Sequence, residues 1–129
     1  MRFLTIFGAP ERDEPPSMAE MIAMGELIDE MARRGVLVTT EGCKPSATGA
    51  RATRRGGSVT VTDGPFSEAK EVVGGFAVLE CASKDEAIAW TRRFMGVAGD
   101  GTSEIRELYD EPAYDRVTGI NRAVPESQR

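Results

Sequence analysis

Val72-Val73-Gly74-Gly75-Phe76-Ala77-Val78-Leu79-Glu80-Cys81, followed almost at once by Ser83-Lys84-Asp85-Glu86, carries the outline of the fold. The first run is apolar over most of its length, with three valines and Phe76, so it reads as a strand. Its glycine pair predicts a bulge or a close approach of two backbones. The Ser and Glu three residues apart form a capping box, which opens a helix whose apolar face is Ala87, Ile88, Trp90, Thr91 and Phe94. Gly96 and Gly99 end that helix, and the alternation from Thr102 to Tyr109 reads as the last strand.

The same grammar is written upstream. Residues 2 to 7 form a strand stopped by Gly8-Ala9-Pro10. Ser17-Met18-Ala19-Glu20 is a second capping box, and Met18, Met21, Ile22, Gly25, Ile28 and Ala32 recur at three and four residues as the expected buried stripe. Arg33-Arg34-Gly35 closes the helix with charges suited to its dipole and a residue tolerant of a left-handed cap. Val36 to Thr40 is the next strand, Glu41 to Pro45 an irregular turn, and Ala50 to Thr62 a hairpin about Gly56-Gly57. Strand, helix, strand, hairpin, strand, helix, strand is a split βαβ plan: an α+β, ferredoxin-like sandwich with an added β-hairpin. Two helices cover only one sheet face. With Arg2, Glu80, Glu104 and Arg106 in the strands, two such sheets meeting face to face would enclose a partly charged cavity, so an isologous homodimer is expected.

At 129 residues the chain is one domain, able to bury about two-thirds of its unfolded surface. The domain is expected over residues 1–109. A polar extension, 110–129, is expected to pack on it or on a partner subunit. Forty per cent hydrophobic and 29% charged residues mark a soluble globular chain. A net charge of −5 argues against nucleic acid and anionic membranes as partners, and no apolar run approaches the roughly 20 residues of a membrane span. Cys43 and Cys81 have no metal-like spacing and read as reduced thiols in a cytoplasmic protein. The sequence has no histidine, which removes Ser-His-Asp and Cys-His nucleophiles and most catalytic zinc or haem ligation. No cofactor or metal is expected, and any catalysis falls to carboxylates, Lys, Cys, Tyr or water.

Between hairpin and strand lies Asp63-Gly64-Pro65-Phe66, then Glu68, the Lys70-Glu71 pair and Gly74-Gly75-Phe76. With Glu41-Gly42, Pro45-Ser46-Ala47-Thr48 and Asp85-Glu86-Ala87 as flanks, this pattern resembles the DGPF-domain proteins, a branch of the YCII-related family, over about residues 1 to 109. The resemblance implies a dimeric α/β barrel with an active-site cleft. It also implies an association, through gene neighbourhood, with extracytoplasmic-function sigma factors. In the wider family a His and an Asp meet in the cleft; this chain supplies the Asp but not the His, and has Ala69 where the family commonly carries Thr.

Two readings of Asp63 stand side by side. A carboxylate at a strand end beside an enclosed cavity can have a raised pKa and act as a general acid or base, while Asp before Gly-Pro is also a good turn former. Lys70 can orient an anionic ligand or belong to a solvated charge run. Arg2 and Arg106 are candidates to hold an anion, Glu41 is a second carboxylate, and Phe66 is a core residue before it is a stacking platform. Arg51, Arg54 and Arg55 form a basic cluster suited either to binding a carboxylate or phosphate or to hairpin solubility. The expected functions are two: a small organic ligand bound near Asp63 with acid-base chemistry (isomerase, lyase or hydrolase), or a non-catalytic binding or regulatory module linked to a sigma factor. An enzyme needs Asp63 to line a pocket beside a second polar group; a turn-forming Asp has its oxygens taken by nearby amides.

Overall fold

A computed structural model describes residues 1–66 and 69–110. The elements are β1 (Arg2–Ala9), α1 (Met18–Arg33), β2 (Leu37–Gly42), β3 (Ala50–Arg55), β4 (Ser58–Asp63), β5 (Val72–Glu80), α2 (Lys84–Ala98) and β6 (Thr102–Glu107), with a short 3-10 turn at Ser46–Thr48. Both helices start where the capping boxes place them. Ser17 Oγ accepts from the Glu20 amide at 3.1 Å and Ser83 Oγ from the Glu86 amide at 3.2 Å. The Glu86 carboxylate reaches back to the Ala82 amide at 2.7 Å, while Glu20 turns instead to Arg12 at 3.0 Å. Gly96 is accommodated within α2, which ends at Gly99, whose φ of 95° is one that glycine adopts readily. Residues 111–129 of the expected extension lie outside the described residues.

Four strands form an antiparallel sheet in the order β2-β5-β1-β6, consistent with a ferredoxin-like α+β fold. The hairpin β3–β4 is a separate two-stranded ribbon. Because direct cross-strand partners share a face, the register sorts the side chains. Phe3 pairs with Leu79 and Thr5 with Ala77 on the helix-covered side, where Phe3 (1% exposed), Leu79 (2%), Leu27, Met31, Val36 and Trp90 make the core. The glycine pair does both things expected of it. Gly74 is the unpaired residue where the β1–β5 register slips between Phe7 and Gly8, and a Cβ on Gly75 would stand 2.8 Å from the Glu41 carbonyl.

The α1 stripe is a correction. The buried side is Leu27 and Met31 with Met24 and Ile28 half-buried, whereas Met18 (67%), Met21 and Ile22 (54%) are exposed. Alpha1 is apolar around much of its circumference, so two stripes with helical spacing coexist in its sequence, and spacing alone does not choose between them. Alpha2 holds α1 in the observed rotation: Arg93 pairs with Glu30, and its guanidinium also lies 4.9 Å from the Trp90 ring centre. Leu79→Ala is therefore expected to cost about 3 kcal/mol in urea unfolding, and Ile22→Ala less than about 0.5 kcal/mol.

Candidate functional site

Three regions gather the residues that matter for chemistry. The first is the uncovered sheet face. Register puts Thr39, Val78, Leu4 and Arg106 in one row across the strands, and Glu41, Phe76, Ile6 and Glu104 in the next. Its centre is apolar and its margins are charged. Arg2 pairs with Glu80 at one end of the same face and donates to the Tyr109 carbonyl at 2.7 Å, while Arg106 reaches Glu104 at 3.3 Å. The predicted residues Arg2, Arg106 and Glu41 thus share one surface, with an apolar patch between the edges.

The second region is Asp63-Gly64-Pro65-Phe66, and it is built around Ser46. Ser46 is buried; its Oγ accepts from the Phe66 amide at 2.9 Å, and its own amide donates to Glu11 Oε1 at 2.5 Å. Gly64 donates to the Gly49 carbonyl at 2.8 Å, and a Cβ at Gly64 would lie 1.6 Å from the Ser46 carbonyl, which only glycine permits. The tetrad, whose Gly64-Pro65 bond is cis, straps the base of the hairpin to the loop after β2. Glu11 extends the strap to the loop after β1. The Arg51 guanidinium stacks over the Phe66 ring at 4.0 Å, so Phe66 does serve as a platform, for a residue of its own chain. Asp63 is exposed at the end of β4, and no hydrogen bond from the described residues reaches its carboxylate. Lys70 is exposed beyond the tetrad; Ser67 and Glu68 lie outside the described residues.

The third region was not foreseen from the residues. Between the sheet and the two helices is a cavity of about 470 Å³, bordered by Phe7, Met24, Ile28, Ala77, Trp90 and Phe94 among others. Thr5, Thr40 and Thr91 are the hydroxyl-bearing residues in its lining; Thr40 Oγ1 donates to the Phe76 carbonyl at 3.0 Å and Thr91 Oγ1 to the Ala87 carbonyl at 2.8 Å. Glu41 is the single ionisable residue in that lining, and its pairing with Phe76 directs its side chain to the uncovered face. A wider, more open cleft of about 840 Å³ runs past Glu11, Asp13, Cys43, Lys44 and Asp100. Asp63, Lys70 and Phe66 line neither. The one sequence signal for the inner cavity was the large apolar residues of both helix faces facing small ones in two neighbouring strands, Thr5 in β1 and Gly75 and Ala77 in β5.

Electrostatics supports the strap. Hydrogen bonds from Ser46 hold the Glu11 carboxyl below its ordinary value of 4.5. Burial, reinforced by Glu86 and Glu80, pushes the Cys81 thiol up, away from nucleophilic use. Cys43 is exposed. Among the described residues there is no cluster of three acidic, Cys or His side chains placed to hold a metal ion, and no helix is long and apolar enough to cross a membrane.

A carboxylate whose folded pKa is depressed contributes stability above its unfolded value and loses it as pH falls through the folded one. Wild type is accordingly expected to lose stability as pH drops below about 4.5, and Glu11→Gln to flatten that part of the profile, as read by thermal melts from pH 6 to pH 3. Gly64→Ala is expected to destabilise the fold by about 2 kcal/mol or more at any pH in the same melts.

Comparison with known proteins agrees with this architecture. An uncharacterized protein of Rhizobium meliloti (strain 1021) is 37% identical over 65 residues, which is 50% of this chain and 52% of that protein. The chain thus spans about half the length of the curated relative it matches. The YCII-related domain matches residues 1–111. With the whole sheet, both helices and the Ser46-strapped hairpin inside that match, the chain belongs to the YCII-related family.

Proposed function

We propose that this YCII-related protein is a homodimeric small-molecule-binding protein whose ligand is an uncharged, largely apolar organic molecule seated between the sheet and the two helices. The cavity of about 470 Å³ carries this reading: it falls within the usual range of small-molecule sites, roughly 300–1,000 Å³, and its lining is mostly apolar with three threonines. A charged ligand would be stripped of water there without a partner charge, which is costly. Homodimerisation is supported by the other side of the sheet, where Leu4, Ile6, Phe76 and Val78 form an apolar centre with charged margins, the composition of an interface core and rim. Two such faces in contact would be solidly apolar at the middle, so the ligand belongs on the helix side and not between the sheets.

One observation favours a second reading. Asp63 is exposed, and the amides of the described residues leave its carboxylate unengaged, as a general acid or base requires. In that reading Lys70, Arg2 or Arg106 holds an anionic ligand and Phe66 stacks on it. It ranks below the first because Asp63 lines neither cavity.

The uncharged fluorophore N-phenyl-1-naphthylamine separates them. Saturable binding at one molecule per chain is expected, with energy transfer from Trp90, the protein's only tryptophan. Ala77→Leu, which fills the cavity from the sheet side, is expected to weaken binding about tenfold, and Asp63→Asn to leave it unchanged. Failure to saturate, or indifference to Ala77→Leu, contradicts the inner site.

A further inference from the structure

The hairpin is the part of the molecule that the fold leaves least explained. Beta3 and β4 pair with each other and with no strand of the main sheet, and every residue in them is exposed. A lone two-stranded ribbon is marginally stable in water. Here its base is fixed by the Ser46 strap, and its tip is a two-residue turn with Gly56 at φ 56° and Gly57 at φ 86°, the geometry of a tight type I′ hairpin. The result is a braced arm about 20 Å long.

The arm has two different faces. Arg51 with Thr62, Thr53 with Thr60 and Arg55 with Ser58 make a polar face, and Arg51 turns that face toward its own Phe66. Arg54 with Val59, Ala52 with Val61 and Ala50 with Asp63 make the other. On this second face Val59 and Val61 are 60% and 65% exposed. Its order from tip to base is basic, apolar, acidic: Arg54, then Val59, Ala52 and Val61, then Asp63. That order is self-complementary. Two copies laid tip to base about a two-fold axis through the Ala52–Val61 pair stack their apolar middles and bring each Arg54 beside the Asp63 of the other copy. The arm's overall charge also suits such a partner, since three arginines against one aspartate give it +2 while the whole chain carries −5.

We infer that the hairpin is a dimerisation arm whose Arg54-to-Asp63 face packs antiparallel against the same face of a second copy. The two arms alone are too small for a stable interface, which needs roughly 1,200 Å² or more, so the contact supplements the sheet-to-sheet dimer proposed above and rests on that reading. Its occupant is a second copy because both charges and the apolar Ala52–Val61 pair find their complement in the arm itself.

Charge exchange tests it. By sedimentation equilibrium, Arg54→Glu and Asp63→Arg are each expected to raise the dimer dissociation constant at least about tenfold, because each puts like charges together at two symmetric places. The double variant is expected to return it to within about threefold of wild type. That rescue also shows that neither single change acted by unfolding the arm, and far-UV circular dichroism checks the same point. A dimer equally tight in all four proteins overturns the arm contact while leaving the sheet-faced dimer standing. Two weakened single variants without rescue overturn the pairing of Arg54 with Asp63. A wild type that is monomeric throughout overturns both the arm contact and the dimer.

Discussion

Everything in this molecule follows from a four-stranded antiparallel sheet that has helices on only one of its faces. The covered face supplies the core, centred on the Phe3–Leu79 pair where β1 and β5 meet in the middle of the sheet. Phe7 and Phe94 meet edge to face at 5.4 Å, and Glu30 with Arg93 ties the two helices together above. The helices do not close completely on the sheet, because the strand residues beneath them include Thr5, Gly75 and Ala77, and small residues there leave the space that Met24, Ile28 and Trp90 overhang. The inner cavity is a consequence of that size pattern and not of any loop.

The uncovered face has the opposite logic. Leu4, Ile6, Phe76 and Val78 are half-exposed on a surface that water wets poorly, and their neighbours Glu41, Glu80, Glu104 and Arg106 keep the margin soluble. The hairpin repeats the theme on a smaller scale, with one face turned to its own Phe66 and the other left apolar at the middle. Asp63-Gly64-Pro65-Phe66 is the joint between these parts. Through Ser46 and Glu11 it links the hairpin, the loop after β2 and the loop after β1, which makes it a structural strap whatever else Asp63 does.

Much of the fold was legible because it is written locally. Ser17 and Ser83 cap where their spacing to Glu20 and Glu86 says they should, Gly56-Gly57 turns the hairpin, and Gly74-Gly75 marks both a bulge and a close approach. The rotation of α1 was not legible, because Met18, Met21 and Ile22 are as apolar as Leu27 and Met31, and only packing against the sheet and α2 selects between them. The candidate site was legible in part. Arg2, Arg106 and Glu41 do share a surface, which strand alternation makes readable, but that Asp63 itself lines neither large cavity depends on how the hairpin leaves the sheet, and no local signal encodes that. The inner cavity was hidden for the same reason: it is defined by small residues in two strands facing large ones in two helices.

The one-sided cover of the sheet is tested most directly by placing a charge at the middle of its bare face. Ile6→Lys, between Phe76 and Glu104 in register, faces away from the core. In sedimentation velocity at one shared concentration, wild type is predicted to run as a dimer and the variant as a single monomeric species with an unchanged far-UV spectrum. A variant that stays dimeric, or that unfolds because Ile6 belongs to the core after all, would contradict the account.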